Sequence, residues 1–471
     1  MRYFVLAFLF LFTSCVNKNF TLKDLSLSQN ASNYLANSQN GSNNGNSGNN
    51  IDPQALRESL KESYLKAWYS PWQDMEVKRN KKEVFWILKE MNRSTGYGED
   101  LKPNAKAFND ALIKSMDIVH YPSAKIKAVV VRDSDVRAVP TNKPYYRSQK
   151  GYPFDRYQNS LIFQGTPVLI THFNTDKTYA HIQSSFVYGW IKVSDLAYMR
   201  DKDIKFLTQL KNYVMPIRDK IPLYTEYGNF YTQARVGELF PIIPKDQNLP
   251  KREKQGEQKK QKKQEKESLK VYGFLKDSQG YATLQSVILN EKDFFVFPKA
   301  FNGENMAYFI NTMLGQKYGW GGTLGNRDCS AFTRDSFANF GILLPRNSYA
   351  QSRYANNYVD LSSMKAKEKE DYILKNATPF GTLLYLKGHI MLYLGERDHQ
   401  AIVAHSIWSL QTQKHFKTLI HNIGGVVITS LWLAREHNGA FSKKKLLIDR
   451  VLGMSDLKDL MLKTSSPLNA N

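Results

Sequence analysis

The 471 residues predict an α+β protein of several domains, and three observations lead there. The chain from residue 51 onward is longer than one hydrophobic core normally holds, so three or four domains are expected. Residues 121–300 break into short β-rich runs separated by polar and Pro/Gly stretches, the profile of small barrels. The last third sets a glycine-rich turn before a cysteine-bearing helical pattern and follows it with two strand patterns.

In chain order, Met1 and Arg2 precede an apolar run at 3–12, too short to span a bilayer and typical of a secretory signal occupying 1–14. Leu11-Phe12-Thr13-Ser14-Cys15 resembles a bacterial lipoprotein cleavage box, with Phe12 where leucine is usual, and this implies lipidation of Cys15. Residues 15–50 are rich in Asn, Ser and Gly and read as a flexible tether. Asp52-Pro53 opens a helix with apolar Leu56, Leu60, Tyr64, Leu65 and Trp68, which Ser70-Pro71-Trp72 breaks. A second helical stretch at 84–91 completes a helical cap over 51–120. Strand runs at 128–131, 168–170 and 189–193 mark a first small barrel at 121–200. A second is placed at 201–300, starting near Met215, and the Lys/Gln/Glu tract at 250–268 reads as a solvated insertion in it.

Cys329 concentrates the chemistry. It lies in Asp328-Cys329-Ser330-Ala331-Phe332, shortly after Tyr318-Gly319-Trp320-Gly321-Gly322, and only Cys15 shares its residue type. Phe332, Phe337 and Phe340 share one apolar arc and Gly341 stops the helix, so the cysteine falls in a first turn whose unpaired amides and dipole favour a thiolate. A thiol nucleophile needs a base. Alternation over 389–394 puts His389, Met391 and Tyr393 on one strand face, and 401–408 forms the next strand. A hairpin with Leu394 opposite Gln400 sets His389 opposite His405, where a third polar group orients the base. His399 or His421 would take that place in another register. Cys15 and Cys329 cannot form the C-x₂₋₄-C half of a zinc motif and there is no GxxxxGK[ST] loop, so no metal or cofactor is expected.

The formal net charge of +22 raises a nucleic-acid hypothesis, which an export signal argues against. An exported basic protein meets the carboxylates of peptidoglycan stems and anionic headgroups instead.

Taken in order over about 301–455, YGWGG, DCSAF, LPRNSYAQ and GHIMLYLG resemble the NlpC-type cell-wall cysteine peptidases of the papain-like superfamily. The resemblance implies a papain-like domain at 301–460 with Cys329 as nucleophile, His389 as general base and acid, and His405 as the orienting residue. It also implies that Tyr318, Trp320, Asp328, Ser330 and Ser348 line the substrate cleft. Residues 132–199 and 212–298 resemble bacterial SH3-like domains, and the region before them looks like the cap of some NlpC-type peptidases. The function implied is a periplasmic peptidoglycan hydrolase, lipid-anchored to a membrane (the outer one expected), with stem peptides as partners and no nucleic acid. It would cleave the γ-D-glutamyl-diaminopimelate bond through an acyl-enzyme. A non-catalytic wall-binding lipoprotein, or an amidase or transpeptidase using the same three residues, are the alternatives. Relatives with this layout use the first barrel to wall off one cleft end, favouring stems with a free amino-terminal L-alanine. Loop 145–156 is the expected wall, with Asp155 meeting an ammonium group.

Overall fold

The computed structural model describes residues 22–35, 52–244, 268–458 and 460. The expected signal at 1–14, Cys15, and the basic tract through residue 267 lie outside the described residues.

The helix Pro53–Tyr69 begins where Asp52 accepts the Gln54 N–H at 2.9 Å and Pro53 occupies a position that needs no amide. The second helical stretch is two single turns, Lys81–Val84 and Leu88–Met91. The chain leaves helical geometry at Phe85, and Phe85 and Ile87 are both buried among Val84, Met91 and Trp190. A further helix, Lys106–Ser115, completes the cap.

The first barrel is a seven-stranded sheet in the order Gln158–Ile162, Ser134–Arg137, Tyr188–Lys192, Tyr179–Gln183, Pro167–Phe173, Ile126–Val130, Leu196–Tyr198. The second pairs a four-stranded sheet with a three-stranded one, the latter built on Tyr213–Pro216. Its described strands resume at Ser268–Lys276, directly after the insertion.

The C-terminal domain has a six-stranded antiparallel sheet in the order Val359–Asp360, Val451–Asp456, Thr382–Leu386, His389–Arg397, Gln400–Lys414, Lys417–Ser430. The helix Cys329–Ala338 lies on it, packing Phe332 and Phe337 into a core with Leu383, Ile390, Leu392 and Ala404. An amphipathic helix was expected here, yet all ten of its residues are buried. The second barrel and the first helix cover its outer face: a Cβ on Gly237 would meet Asp335 at 3.0 Å, and one on Gly341 would meet Leu60 at 3.0 Å. Arg334 and Asp335 are therefore paired inside the protein, at 2.7 Å.

Part of the expected tether is folded. Residues 22–35 carry two 3-10 turns laid on the C-terminal domain, with Leu22, Ala31 and Tyr34 buried. Asp24 accepts the Ser430 N–H at 2.8 Å and the Ser430 hydroxyl at 2.7 Å, and Gln29 exchanges two bonds of 2.9 Å with Ile428. The composition is too polar for a core of its own, but a few apolar side chains suffice to dock it on one already formed.

Candidate active site

The turn before the nucleophile is glycine-rich because another domain presses on it. Gly321 and Gly322 have φ of +58° and +89°, and a Cβ on either would meet Gln158 or Leu161 of the first barrel at 2.6 or 2.5 Å. That barrel is bonded to the turn by Gln158 Nε2 to the Gly321 carbonyl at 3.0 Å and by Trp320 Nε1 to the Asp155 carbonyl at 2.7 Å. Asp328 caps the helix, taking the Ala331 N–H at 2.9 Å, and its second oxygen accepts the Gly321 N–H at 2.9 Å. Arg346 closes this corner, donating to Asp328 at 2.7 and 3.0 Å, to Ser330 Oγ at 2.8 Å and to Ser160 Oγ of the first barrel at 2.8 Å.

Cys329 is 7% exposed at the head of its helix. The main-chain N–H groups of Ile390 and Ser330 point at its sulfur, which places the thiol beside the residue that follows His389. Burial, reinforced by the Asp328 carboxylate, pushes the thiol up to about 12 despite those amides. The thiolate expected from the helix dipole is thus disfavoured by burial. His389 is lowered to about 3 by desolvation, with Arg450 adding to it, so the resting pair is a neutral thiol and a neutral imidazole.

The two imidazoles meet through a register other than the simple hairpin. Arg397 pairs with Gln400 across a turn in which Asp398 and His399 both have positive φ. A bulge between Tyr393 and Gly395, where Gly395 has φ +130°, then shifts the pairing so that Leu392 faces Ala404. One extra residue flips the alternation, and this bulge returns His389 and His405 to a common face. His389 Nε2 and His405 Nδ1 are 2.8 Å apart, with rings inclined at 65°. His405 is fully buried, which holds it well below its ordinary value, and its Nε2 lies 3.1 Å from Thr429 Oγ1 on the next strand. Thr429 was not anticipated. The alternatives stand elsewhere: His399 is exposed in the turn beside Glu396, and His421 bonds Thr412 at 2.8 Å.

A cleft of about 330 Å³ contains Cys329, and Tyr318, Trp320, Asp328, Ser330 and Ser348 all line it. The first barrel supplies its opposite side through Arg156, Gln158, Asn159, Phe186 and Tyr188, and the cap adds Trp86. Asp155, expected to meet a substrate ammonium, is turned inward. Its carboxylate is 2.7 Å from Arg137 Nη1 and accepts the Tyr145 and Tyr157 N–H groups at 2.9 Å each. Both its oxygens are engaged, it is 8% exposed, and it is not among the residues that line the cleft. Among the described residues no group of three or more His, Cys, Asp or Glu could hold a metal ion.

Residues 315–447 match the NlpC/P60 family model. An SH3 domain of SH3b1 type matches 143–192, one of SH3b2 type matches 201–247, and the NLPC_P60 stabilising domain (N term) matches 4–121. No curated protein matches the chain. Among solved structures, an NlpC/P60 endopeptidase from Photobacterium damselae subsp. piscicida is similar over 94% of this chain and 98% of its own, at 23% identity and a TM-score of 0.73. An NlpC/P60 family protein from Bacillus cereus covers 64% of this chain and 83% of its own, at 17% identity and a TM-score of 0.41. The chain therefore carries a match to the NlpC/P60 family at 315–447, preceded by matches to an N-terminal stabilising domain and to two SH3b-type domains.

Proposed function

We propose that the protein is a peptidoglycan hydrolase that cleaves the γ-D-glutamyl-diaminopimelate bond of stem peptides through an acyl-enzyme. The observation that carries this reading is the ordered line from the Cys329 corner through His389 and His405 to Thr429, with 2.8 Å between the imidazoles. Because His389 Nε2 is engaged by His405, Nδ1 is the nitrogen left to take the thiol proton. Cys329 Sγ bonds to the scissile carbonyl carbon as that proton moves to His389. The oxyanion is met by the Cys329 main-chain N–H, which the Asp328 cap leaves untaken, and by the Tyr318 phenol, which burial keeps protonated. Collapse breaks the C–N bond, and His389 returns the proton to the departing amine. Water activated by His389 then hydrolyses the thioester and restores the thiol. The similar protein from Photobacterium damselae is named an endopeptidase, which agrees with this reading.

Cys15 is proposed as a lipidated anchor on a bacterial membrane. With residue 22 docked on the catalytic domain, the seven steps from Cys15 to Leu22 reach at most about 25 Å when fully extended. The domain would work close to the membrane surface.

Digestion of purified peptidoglycan and of L-Ala-γ-D-Glu-diaminopimelate, followed by mass spectrometry, tests the activity. New diaminopimelate amino termini are expected with wild type and none with Cys329→Ala, whose circular dichroism should be unchanged. Cleavage at any other bond, or cleavage by the variant, would overturn the assignment.

A further inference from the structure

A second cavity, of about 500 Å³, lies beside the catalytic cleft and shares Trp86 and Arg156 with it. Four cations line it, Lys89, Arg93, Arg147 and Arg156, against the single carboxylate of Glu90. They converge from two domains, Lys89 and Arg93 from the cap and the other two from the first barrel's loop.

Glu90 is already committed. It takes Arg147 Nε at 2.6 Å and Nη2 at 2.7 Å, and these bonds hold its carboxyl below the usual range. Its approach to Arg156 Nε, at 3.5 Å, is too long for a good hydrogen bond, and that Nε is buried with no hydrogen-bond partner among the described residues. Lys89 and Arg93 make no ion pair among the described residues. An ion-pair cluster that only glued the cap to the barrel would balance its charge, whereas this one leaves three cations in excess of its acid.

Arg156 is also pre-positioned. Its guanidinium lies 5.4 Å from the Trp86 ring centre and 5.9 Å from that of Trp320, a residue of the turn before the nucleophile. A planar cation held against two indoles loses little freedom when an anion arrives.

We propose that this cavity is a subsite for an anionic group, carboxylate or phosphate, carried by the same molecule whose scissile bond lies at Cys329. The inference rests on the hydrolytic reading and on the polarity the resemblance implies, with the amino-terminal end of the stem toward the first barrel. It changes what that barrel selects: the cleft continues past Trp86 and Arg156 into a cationic chamber, so an extension beyond the L-alanine amine is accepted when it is acidic. One molecule bridging both cavities gains the second contact at high effective concentration.

The test uses full-length Cys329→Ala protein and calorimetric titration, so it does not depend on turnover. The probes are L-Ala-γ-D-Glu-diaminopimelate carrying an N-terminal succinyl, phosphonoacetyl or acetyl group. The succinyl or the phosphonoacetyl peptide is expected to bind at least about tenfold more tightly than the neutral acetyl peptide, and which one leads identifies the anion. That preference should fall toward unity in Lys89→Gln/Arg93→Gln protein and at high salt, where exposed charges are screened. Equal binding of all three peptides, binding of none, or a preference that survives the double substitution would each overturn the subsite. If the anionic preference stands while wild type cleaves no stem peptide, it is the hydrolytic reading that fails.

Discussion

Replacing Asp219 by alanine should disable a site that Asp219 never touches. Asp219 belongs to the second barrel, yet both its oxygens grip Arg327, two residues before the nucleophile. Arg327 is 1% exposed and uses all five N–H donors: on Asp219 through Nη1 and Nη2, on Asp335 at 2.7 Å, on Gln316 at 3.0 Å and on the Val236 carbonyl at 3.1 Å. Burial alone would raise the Asp219 carboxyl, but the Arg327 charge and hydrogen bonds overcome it and hold it far below the usual range. The Arg327 carbonyl in turn accepts Ser406 Oγ at 2.8 Å, one residue from His405, and the Gly319 N–H at 3.1 Å. Asp219→Ala leaves Arg327 with one carboxylate, Asp335, which already serves Arg334. Removing one partner of a buried pair costs about 3–5 kcal/mol. At a urea slope of about 2 kcal/mol/M that is a midpoint lower by about 2 M. Unfolding should be followed by alkylation of Cys329 in a Cys15→Ser background, so that the signal comes from the catalytic domain. In native buffer kcat should fall by about tenfold or more with KM little moved, since small displacements of a nucleophile are costly. Asp219→Leu/Arg327→Met, which removes both charges, should recover much of the stability lost in Asp219→Leu. A midpoint within 0.3 M of wild type, together with unchanged kcat, would refute the clamp; 0.3 M is about 0.6 kcal/mol at that slope.

Three further outcomes are expected. His389→Ala should remove nearly all turnover and His405→Ala less, with Thr429→Val smaller again at about two- to tenfold; the order is read from kcat/KM, and an equal loss in all three would contradict the line from base to threonine. Stability should decline as pH falls from about 6.5 toward 4.5, because histidines neutral in the fold take up protons on unfolding, each fully buried one contributing up to about 1.4 kcal/mol per pH unit. His181, lowered to about 3 by burial, and His405 carry most of this, the partly accessible His389 less. Glu238, raised by burial, binds its proton on folding and works against the slope, so the decline should steepen in Glu238→Gln; urea midpoints that stay flat in both proteins would contradict it. Cys15→Ser should move the protein from the membrane to the soluble fraction, and retention through a high-salt wash would count against lipidation.

What could be read from the sequence is what one element can carry. The cap at Asp52, the break at Ser70, and the helix that starts at Cys329 each depend on residues within a turn or two of one another. The shared face of His389 and His405 is legible as parity, but a simple hairpin between them has no bulge. Parity survived because the early turn at Asp398 and His399 and the bulge at Gly395 each displace the pairing and together cancel. What was not legible is supplied from a distance. Thr429 reaches His405 from a third strand, and Arg346 meets Asp328 from 18 residues on. Asp219 reaches Arg327 across 108 residues and a domain boundary. Asp155 shows the same limit in reverse: as an acid in a polar loop it invites a ligand, and only Arg137, on a strand before that loop, reveals that its charge is already spent. Residues 22–35 were submerged in the Asn/Ser/Gly composition around them, since Leu22, Ala31 and Tyr34 signal nothing until the surface they fill exists. A nucleophile can therefore be found from its own neighbourhood, while the groups that set its protonation and hold it in place belong to contacts between domains. In this protein those contacts press directly on the catalytic turn, at Gly321, Gly322 and Arg327, so a substitution at these contacts in either barrel is expected to show in the chemistry.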